Sequence, residues 1–93
     1  MRLRIVVAAA DSRAREHLFG VLNGLGHDVA TVGHVRALLG LCRSFEPDLV
    51  AAGVEMGEAA RQVAVPFILL GDGRLRRDEM EAVLALVPPP GAA

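Results

Sequence analysis

Short apolar runs alternate with amphipathic stretches along this chain, and that alternation constrains its fold more than any other feature. The apolar runs are rich in aliphatic residues and cover 3–10, 28–32, 46–54 and 65–71. Runs without polar alternation are typical of strands that are buried on both faces. Apolar residues recur at helical spacing after the first, second and last runs. Strands joined by helices through short links predict an α/β fold with a doubly wound parallel sheet and right-handed crossovers.

Capping residues mark where the predicted helices begin and end. Asp11 and Ser12 can cap a first helix, which the glycine-rich stretch 24–28 then ends. A second helix is expected near 34–44, and the stretch 57–64 can form two helical turns at most. A last helix is expected to begin at a capping box of Asp78 and Glu81 and to run to Val87, where prolines would end it.

Composition and charge exclude several classes of function. The net charge is −1 and the pI is about 6.3, so no basic surface for nucleic acid or anionic membrane is expected. No apolar run approaches the roughly 18 residues that a membrane span needs. The single cysteine, Cys42, excludes an internal disulfide, and we expect a soluble, cytoplasmic protein. The three histidines do not have the spacing of metal ligands.

Three stretches together resemble a known family. They are "RIVVAAADSRAREHLFGVLNGLGHDVATV", "RALLGLCRSFEPDLVAAGVEM" and "VPFILLG", which lie in order between residues 3 and 72. In order and spacing they are similar to the receiver domain of bacterial two-component response regulators. The resemblance implies a flavodoxin-like fold, here with four strands in the order 2-1-3-4 and without the fifth strand and helix. Residues 1–87 would then form a truncated receiver-like domain, and 88–93 a proline-rich tail.

The resemblance also implies a catalytic site, and the residues that would build it are missing. In the family, two carboxylates after strand one hold Mg²⁺, an aspartate ending strand three takes the phosphoryl group, and a Thr or Ser and a Lys bind its oxygens. No lysine occurs in the chain, and the positions of the other groups fall on Ala9, Ala10, Gly53 and Gly71. A shift of one residue would place the acidic pair on Ala10 and Asp11. We therefore expect a pseudo-receiver without enzymatic activity or cofactor.

Three carboxylates leave an alternative open. Asp11, Glu55 and Asp72 each follow a predicted strand, so all three are expected near the carboxyl edge of the sheet. Such oxygen ligands suit a divalent cation, and they could also support residual phosphotransfer. Helix capping by Asp11 and a solvated turn at Asp72 are the simpler interpretation of the same residues.

The missing fifth strand predicts an interaction surface. Strand four becomes an edge that carries no charge, and the last helix has an apolar stripe that four strands cover only in part. We expect a protein partner, or a homodimer, to contact Phe67, Leu69, Met80, Val83, Leu84 and Val87. The other interpretation is that the last helix shields this edge within one chain.

Overall fold

The computed structural model of the protein describes residues 2–63 and 65–70, with the backbone alone at Leu70. In chain order the elements are β1 (Arg4–Ala8), α1 (Ser12–Gly24), β2 (Asp28–Val32), α2 (Val35–Phe45), β3 (Leu49–Gly53), a 3-10 turn (Val54–Met56), α3 (Gly57–Gln62) and β4 (Phe67–Leu70). The predictions for Gly71, Asp72, the last helix and the proline-rich tail lie outside the described residues.

The four strands form one parallel sheet in the order β2-β1-β3-β4, which confirms the predicted fold class and strand order. In the register of the sheet, Ile5 of β1 lies between Val29 of β2 and Leu49 of β3. At the carboxyl end of β3, Gly53 pairs with Leu70 of β4. Within the described part of the chain, β2 and β4 are therefore the two edges of the sheet.

Both faces of the sheet are covered, which explains why the strands are apolar without alternation. On one face, odd-numbered residues of β1 and β3 pack against Leu18 and Leu22 of α1; these strand residues are Ile5, Val7, Leu49 and Ala51. On the other face, even-numbered residues pack against Leu38 of α2 and against the turn and α3; these are Val6, Ala8, Val50 and Ala52. All of these side chains are buried, so β1 and β3 form the centre of the core.

The first helix begins and ends where its flanking residues predict. Asp11 is the N-cap of α1, and its side chain accepts a hydrogen bond from the Arg13 amide. Gly26, just beyond α1, adopts a φ of 93°, a left-handed conformation that favours glycine. The third helix is short, as expected, and follows a single 3-10 turn. In the described part of the chain, no helix is long and apolar enough to cross a membrane.

Three strands are shorter than the apolar runs that predicted them. β1 ends at Ala8 rather than residue 10, β3 begins at Leu49 rather than 46, and β4 begins at Phe67 rather than 65. At the start of β3, the Asp48 amide donates to the Arg4 carbonyl, and the Asp48 carboxylate accepts from the Arg4 amide. Just before the paired residues of β1 and β3, the backbone amide and carbonyl of Arg4 thus find their hydrogen-bond partners in Asp48.

Candidate functional site

The carboxyl edge of the sheet brings together the loop after β1 and the turn after β3. Ala9 and Ala10 form that loop, and Gly53 is the last residue of β3. Ala9 and Gly53 are buried, whereas Ala10 is exposed. The resemblance places an acidic pair and a phosphoacceptor at these positions, but methyl groups and hydrogens occupy them here.

Glu55 places its carboxylate directly over Gly53. A Cβ atom on residue 53 would lie 2.5 and 2.6 Å from the two Glu55 carboxylate oxygens, which is closer than a Cβ atom approaches a non-bonded atom in proteins. Gly53 has a φ of −62°, which any residue can adopt, so backbone conformation does not require glycine there. Glycine at this position instead provides the space that the Glu55 carboxylate occupies.

The Glu55 carboxylate is held in this position by the loop after β1. Its Oε1 atom accepts a hydrogen bond of 3.0 Å from the Ala10 amide. The next residue, Met56, is buried in the core, while Val54 before it is 60% exposed. The 3-10 turn therefore directs Glu55 over the sheet edge and Val54 into solvent, and it ties the turn after β3 to the loop after β1.

Arg15 fixes the same loop from the other side. Its Nη1 atom donates to the carbonyl oxygens of Ala9, at 2.7 Å, and of Ala10, at 2.9 Å. A Cβ atom on Gly33, the residue after β2, would lie 2.5 Å from that same nitrogen. Two glycines at the ends of two strands thus make room for two charged side chains, an acid on one side of the loop and a guanidinium on the other.

Most polar groups of the β1–α1 loop are consequently satisfied within the protein. The Ala9 amide donates to the Val32 carbonyl, and the Asp11 carbonyl accepts from the Arg15 amide. The Asp11 carboxylate, which could have survived from an acidic pair, is the N-cap of α1. A metal ion in this loop would therefore have to compete with protein hydrogen bonds for its ligands.

Among the predicted cation ligands, the structure brings Asp11 and Glu55 to the same edge of the sheet. Each carboxylate accepts a backbone hydrogen bond, from Arg13 and Ala10 respectively. Asp72 lies outside the described residues. Within 2–63 and 65–70, no cluster of three or more His, Cys, Asp or Glu residues could hold a metal ion.

Of the predicted interface residues, Phe67 and Leu69 lie in β4. Phe67 is half-buried and packs against the core, and Leu69 is 43% exposed, with its methyl groups against Gly57. The aliphatic side chain of Leu69 is therefore partly exposed to solvent on β4. The other four predicted contacts, Met80, Val83, Leu84 and Val87, lie outside the described residues.

Two residues at the site were not predicted from the sequence. The position of each in the sequence could have suggested that it lies near the site. Arg15 lies in the first turn of α1, and Gly33 follows β2 at the same edge of the sheet. Parallel strands bring such positions together, so a charged residue and a glycine there are candidates for a shared contact.

Two further groups have perturbed pKa values, and both lie away from this edge of the sheet. Burial lowers the pKa of His27 and raises that of the Cys42 thiol.

The fold is similar to that of solved receiver domains. The chemotaxis protein CheY4 of Vibrio cholerae superposes with a TM-score of 0.73 at 11% identity, over 95% of this chain and 100% of that one. A response regulator from Desulfuromonas acetoxidans superposes with a TM-score of 0.60 at 18% identity, over 89% of this chain and 76% of that one. The signal receiver domain of a LuxO-type repressor from Vibrio parahaemolyticus superposes with a TM-score of 0.61 at 12% identity, over 92% of this chain and 89% of that one.

These comparisons show a receiver-like, flavodoxin-like fold. The identities are too low to carry more than the fold. The chain spans less than two thirds of two further matched chains, 62% of one and 26% of the other. No protein-family model matches the sequence, and neither does any curated protein that was compared with it.

Proposed function

We propose that this chain is a phosphorylation-independent pseudo-receiver, a protein-interaction module of a bacterial two-component-type signalling system rather than an enzyme. One observation carries the proposal: the Glu55 carboxylate occupies the space over Gly53. In the family that the chain resembles, the side chain at this position attacks phosphorus. Here the position has no nucleophile, and an acidic side chain that is bound to the Ala10 amide covers it.

Charge supports the same proposal. Phosphoryl transfer to a carboxylate requires cations that offset the charge of the transferring group. Arg15 contacts this loop, and its Nη1 atom already donates to two backbone carbonyls. Glu55 would in addition repel an incoming phosphoryl group. The contacts at the carboxyl edge of the sheet therefore favour holding the two loops in place over phosphoryl transfer.

A receiver-like domain without phosphoryl chemistry can still act by binding proteins. The β4 edge, together with the predicted stripe of the last helix, supports a homodimer or a protein partner as the binding mode. Leu69 is the described residue that favours this surface, because its side chain remains 43% exposed on an edge strand. We place this activity in the cytoplasm, where a chain whose one cysteine cannot form an internal disulfide would function.

A specific alternative is residual phosphotransfer, or a divalent cation, at Asp11, Glu55 and Asp72. The observation in its favour is that Asp11 and Glu55 follow β1 and β3 at the same edge. Titrating Mg²⁺ while recording backbone NMR shifts and the melting temperature tests it. If millimolar Mg²⁺ raised the melting temperature by several degrees, linkage would require a bound ion, and the alternative would replace our proposal.

The proposal itself is tested with a small phosphodonor. The full chain is incubated with acetyl phosphate and Mg²⁺, and its intact mass is measured beside a receiver domain that has an aspartate at the end of strand three. We expect the reference protein to gain one phosphoryl group and this chain to gain none. A phosphoryl group mapped to Glu55, Asp11 or Asp48 would contradict the proposal.

A further inference from the structure

A groove of about 350 Å³ lies between α2, α3 and the segment that leads into β4. Its volume is at the lower end of the range for ligand sites in proteins. None of the described residues that line the groove belongs to the carboxyl edge of the sheet that is described above. It is lined by Leu39, Cys42, Arg43, Gln62, Val63 and Val65.

The floor of this groove is apolar and fixed. Cys42, Val63 and Val65 are half-buried, and each also packs against the buried cluster that contains Leu38. Leu39 adds a further half-buried aliphatic side chain from α2. Because the floor belongs to the core, an aliphatic group that enters the groove would meet a preformed surface and would lose little entropy in ordering it.

The two helices that border the groove together have a net positive charge. α2 contains Arg36 and Arg43 and no acidic residue, and α3 contains Arg61 and one acid, Glu58. The whole chain has a net charge of −1, so these two helices have the opposite sign to the protein. Arg43 is exposed and lines the groove directly. A ligand with carboxylates beside its apolar group would therefore be complementary.

We propose that this groove docks a segment of a partner protein in which aliphatic side chains stand next to carboxylates. The aliphatic group packs on Cys42, Val63 and Val65, and a carboxylate pairs with Arg43. This inference rests on the proposed function, since it names one surface and one class of partner for an interaction module. It does not depend on whether β4 also mediates self-association.

Cys42 makes the groove directly testable, because it is the single cysteine of the chain. Two peptides are synthesised that each contain one cysteine and two leucines, with three glutamates in one and three lysines in the other. Each is presented to the full chain as a mixed disulfide with 2-mercaptoethanol, under rising concentrations of free 2-mercaptoethanol. Since burial raises the pKa of the Cys42 thiol, the exchange is run at mildly alkaline pH. Intact mass gives the fraction of Cys42 that each peptide occupies.

We expect the acidic peptide to remain on Cys42 at about tenfold more 2-mercaptoethanol than the basic peptide, which corresponds to roughly 1.4 kcal/mol. R43E should remove or reverse this preference. R36E makes the same change of net charge on the same helix outside the groove, and it should retain most of the preference. Circular dichroism of both variants verifies that they fold.

Equal occupancy by the two peptides, or a preference that R43E leaves unchanged, would overturn the inference. If alkylation of Cys42 instead dissociated a homodimer, the groove would belong to a second copy of the chain, and the acidic partner would be wrong. None of these outcomes affects the phosphodonor test, which tests the proposed function separately. A negative result for docking in the groove can therefore be distinguished from a negative result for the pseudo-receiver proposal.

Discussion

The carboxylate of Glu55 lies where a side chain on Gly53 would have to be, at 2.5 Å from the nearest possible Cβ position. The two residues are thus mutually dependent: glycine at the end of β3 allows the acid two residues later to fold back over the sheet. The acid in turn binds the Ala10 amide and joins the turn after β3 to the loop after β1.

This dependence predicts the result of Gly53→Ala. The new methyl group should displace the Glu55 carboxylate, which is the flexible end of a side chain. The Ala10 amide would then donate its hydrogen bond to water instead of to Glu55. We expect a large shift of the Ala10 amide resonance in NMR, and a change in unfolding free energy within about 1 kcal/mol. Gly40→Ala is the control: its Cβ would contact nothing within 4 Å, so the Ala10 resonance should not move. An unchanged Ala10 resonance in Gly53→Ala would contradict the described contact.

Restoring an aspartate should not restore phosphoryl transfer. In Gly53→Asp the new carboxylate meets that of Glu55, and the double variant with Glu55→Ala removes this conflict. Both variants still have methyl groups at Ala9 and Ala10, so no acidic pair holds a metal ion beside the nucleophile. We expect neither variant to gain a phosphoryl group from acetyl phosphate with Mg²⁺, measured by intact mass. Modification of the double variant would mean that the missing carboxylates are dispensable.

The core prediction concerns Leu38, which is the fully buried residue of α2. Leu38→Ala leaves a cavity against β1 and β3 and should lower the unfolding free energy by about 2–5 kcal/mol. Val35→Ala is the matched control on the same helix, because Val35 is 41% exposed, and it should change stability by about 0.5 kcal/mol or less. Urea denaturation of the two variants measures the difference. Similar losses in both would mean that α2 does not pack on the sheet as described.

Stability should fall in mildly acidic solution because of His27. Its Nδ1 atom accepts a hydrogen bond of 3.0 Å from the Leu3 amide, which a proton on that atom would abolish. Burial, and secondarily the positive N-terminus, lowers the pKa of His27 from 6.5. A lowered histidine pKa means that the unfolded chain binds the proton first, so this stability is present above pH 6.5 and is lost as the pH falls below it.

The measurement is the urea midpoint between about pH 7.5 and about pH 5.5, where unperturbed carboxylates remain ionised. We expect the midpoint of the wild-type protein to fall more steeply over this interval than that of His27→Gln. Arg2 and Asp28, which form an ion pair beside His27, are present in both proteins. Parallel profiles for the two proteins would show that the contact with Leu3 is not made through the neutral imidazole.

Self-association should depend on the β4 edge. Leu69→Lys places a charge on an edge strand, a substitution that discourages strand addition, and the site is exposed enough to accept it. We expect this variant to weaken dimerisation at least tenfold. Val54→Lys is the control, since Val54 is more exposed than Leu69 but lies in the turn after β3. Equal dissociation constants for the wild-type protein and Leu69→Lys would move the interface away from β4.

The fold was predictable because the strands at the centre of the sheet are buried on both faces. β2 spans the predicted residues 28–32, and Asp11 caps α1 as its sequence context predicts. Strand ends were less predictable, because hydrophobicity continues where pairing stops. Ala9 remains buried beyond β1, although its carbonyl binds Arg15 instead of another strand.

The sequence shows which residues stand at this edge of the sheet, but it does not show the contacts that they make. The resemblance to receiver domains is what points to Gly53, which the structure places at the end of β3. The return of the Glu55 side chain depends on the 3-10 turn that begins at Val54, and the three residues of that turn have no pattern that distinguishes it from a loop. The contact between Arg15 and Gly33 joins residues from different elements, which a single sequence does not reveal.

The central claim is that association does not depend on phosphorylation, and sedimentation equilibrium of the full chain tests it most directly. The protein is measured at micromolar concentration, with and without acetyl phosphate and Mg²⁺. We predict twice the chain mass of 9.8 kDa under both conditions, with the same dissociation constant. A monomer that dimerises only with the phosphodonor would contradict the account, and so would a monomer under both conditions that binds the phosphoryl group.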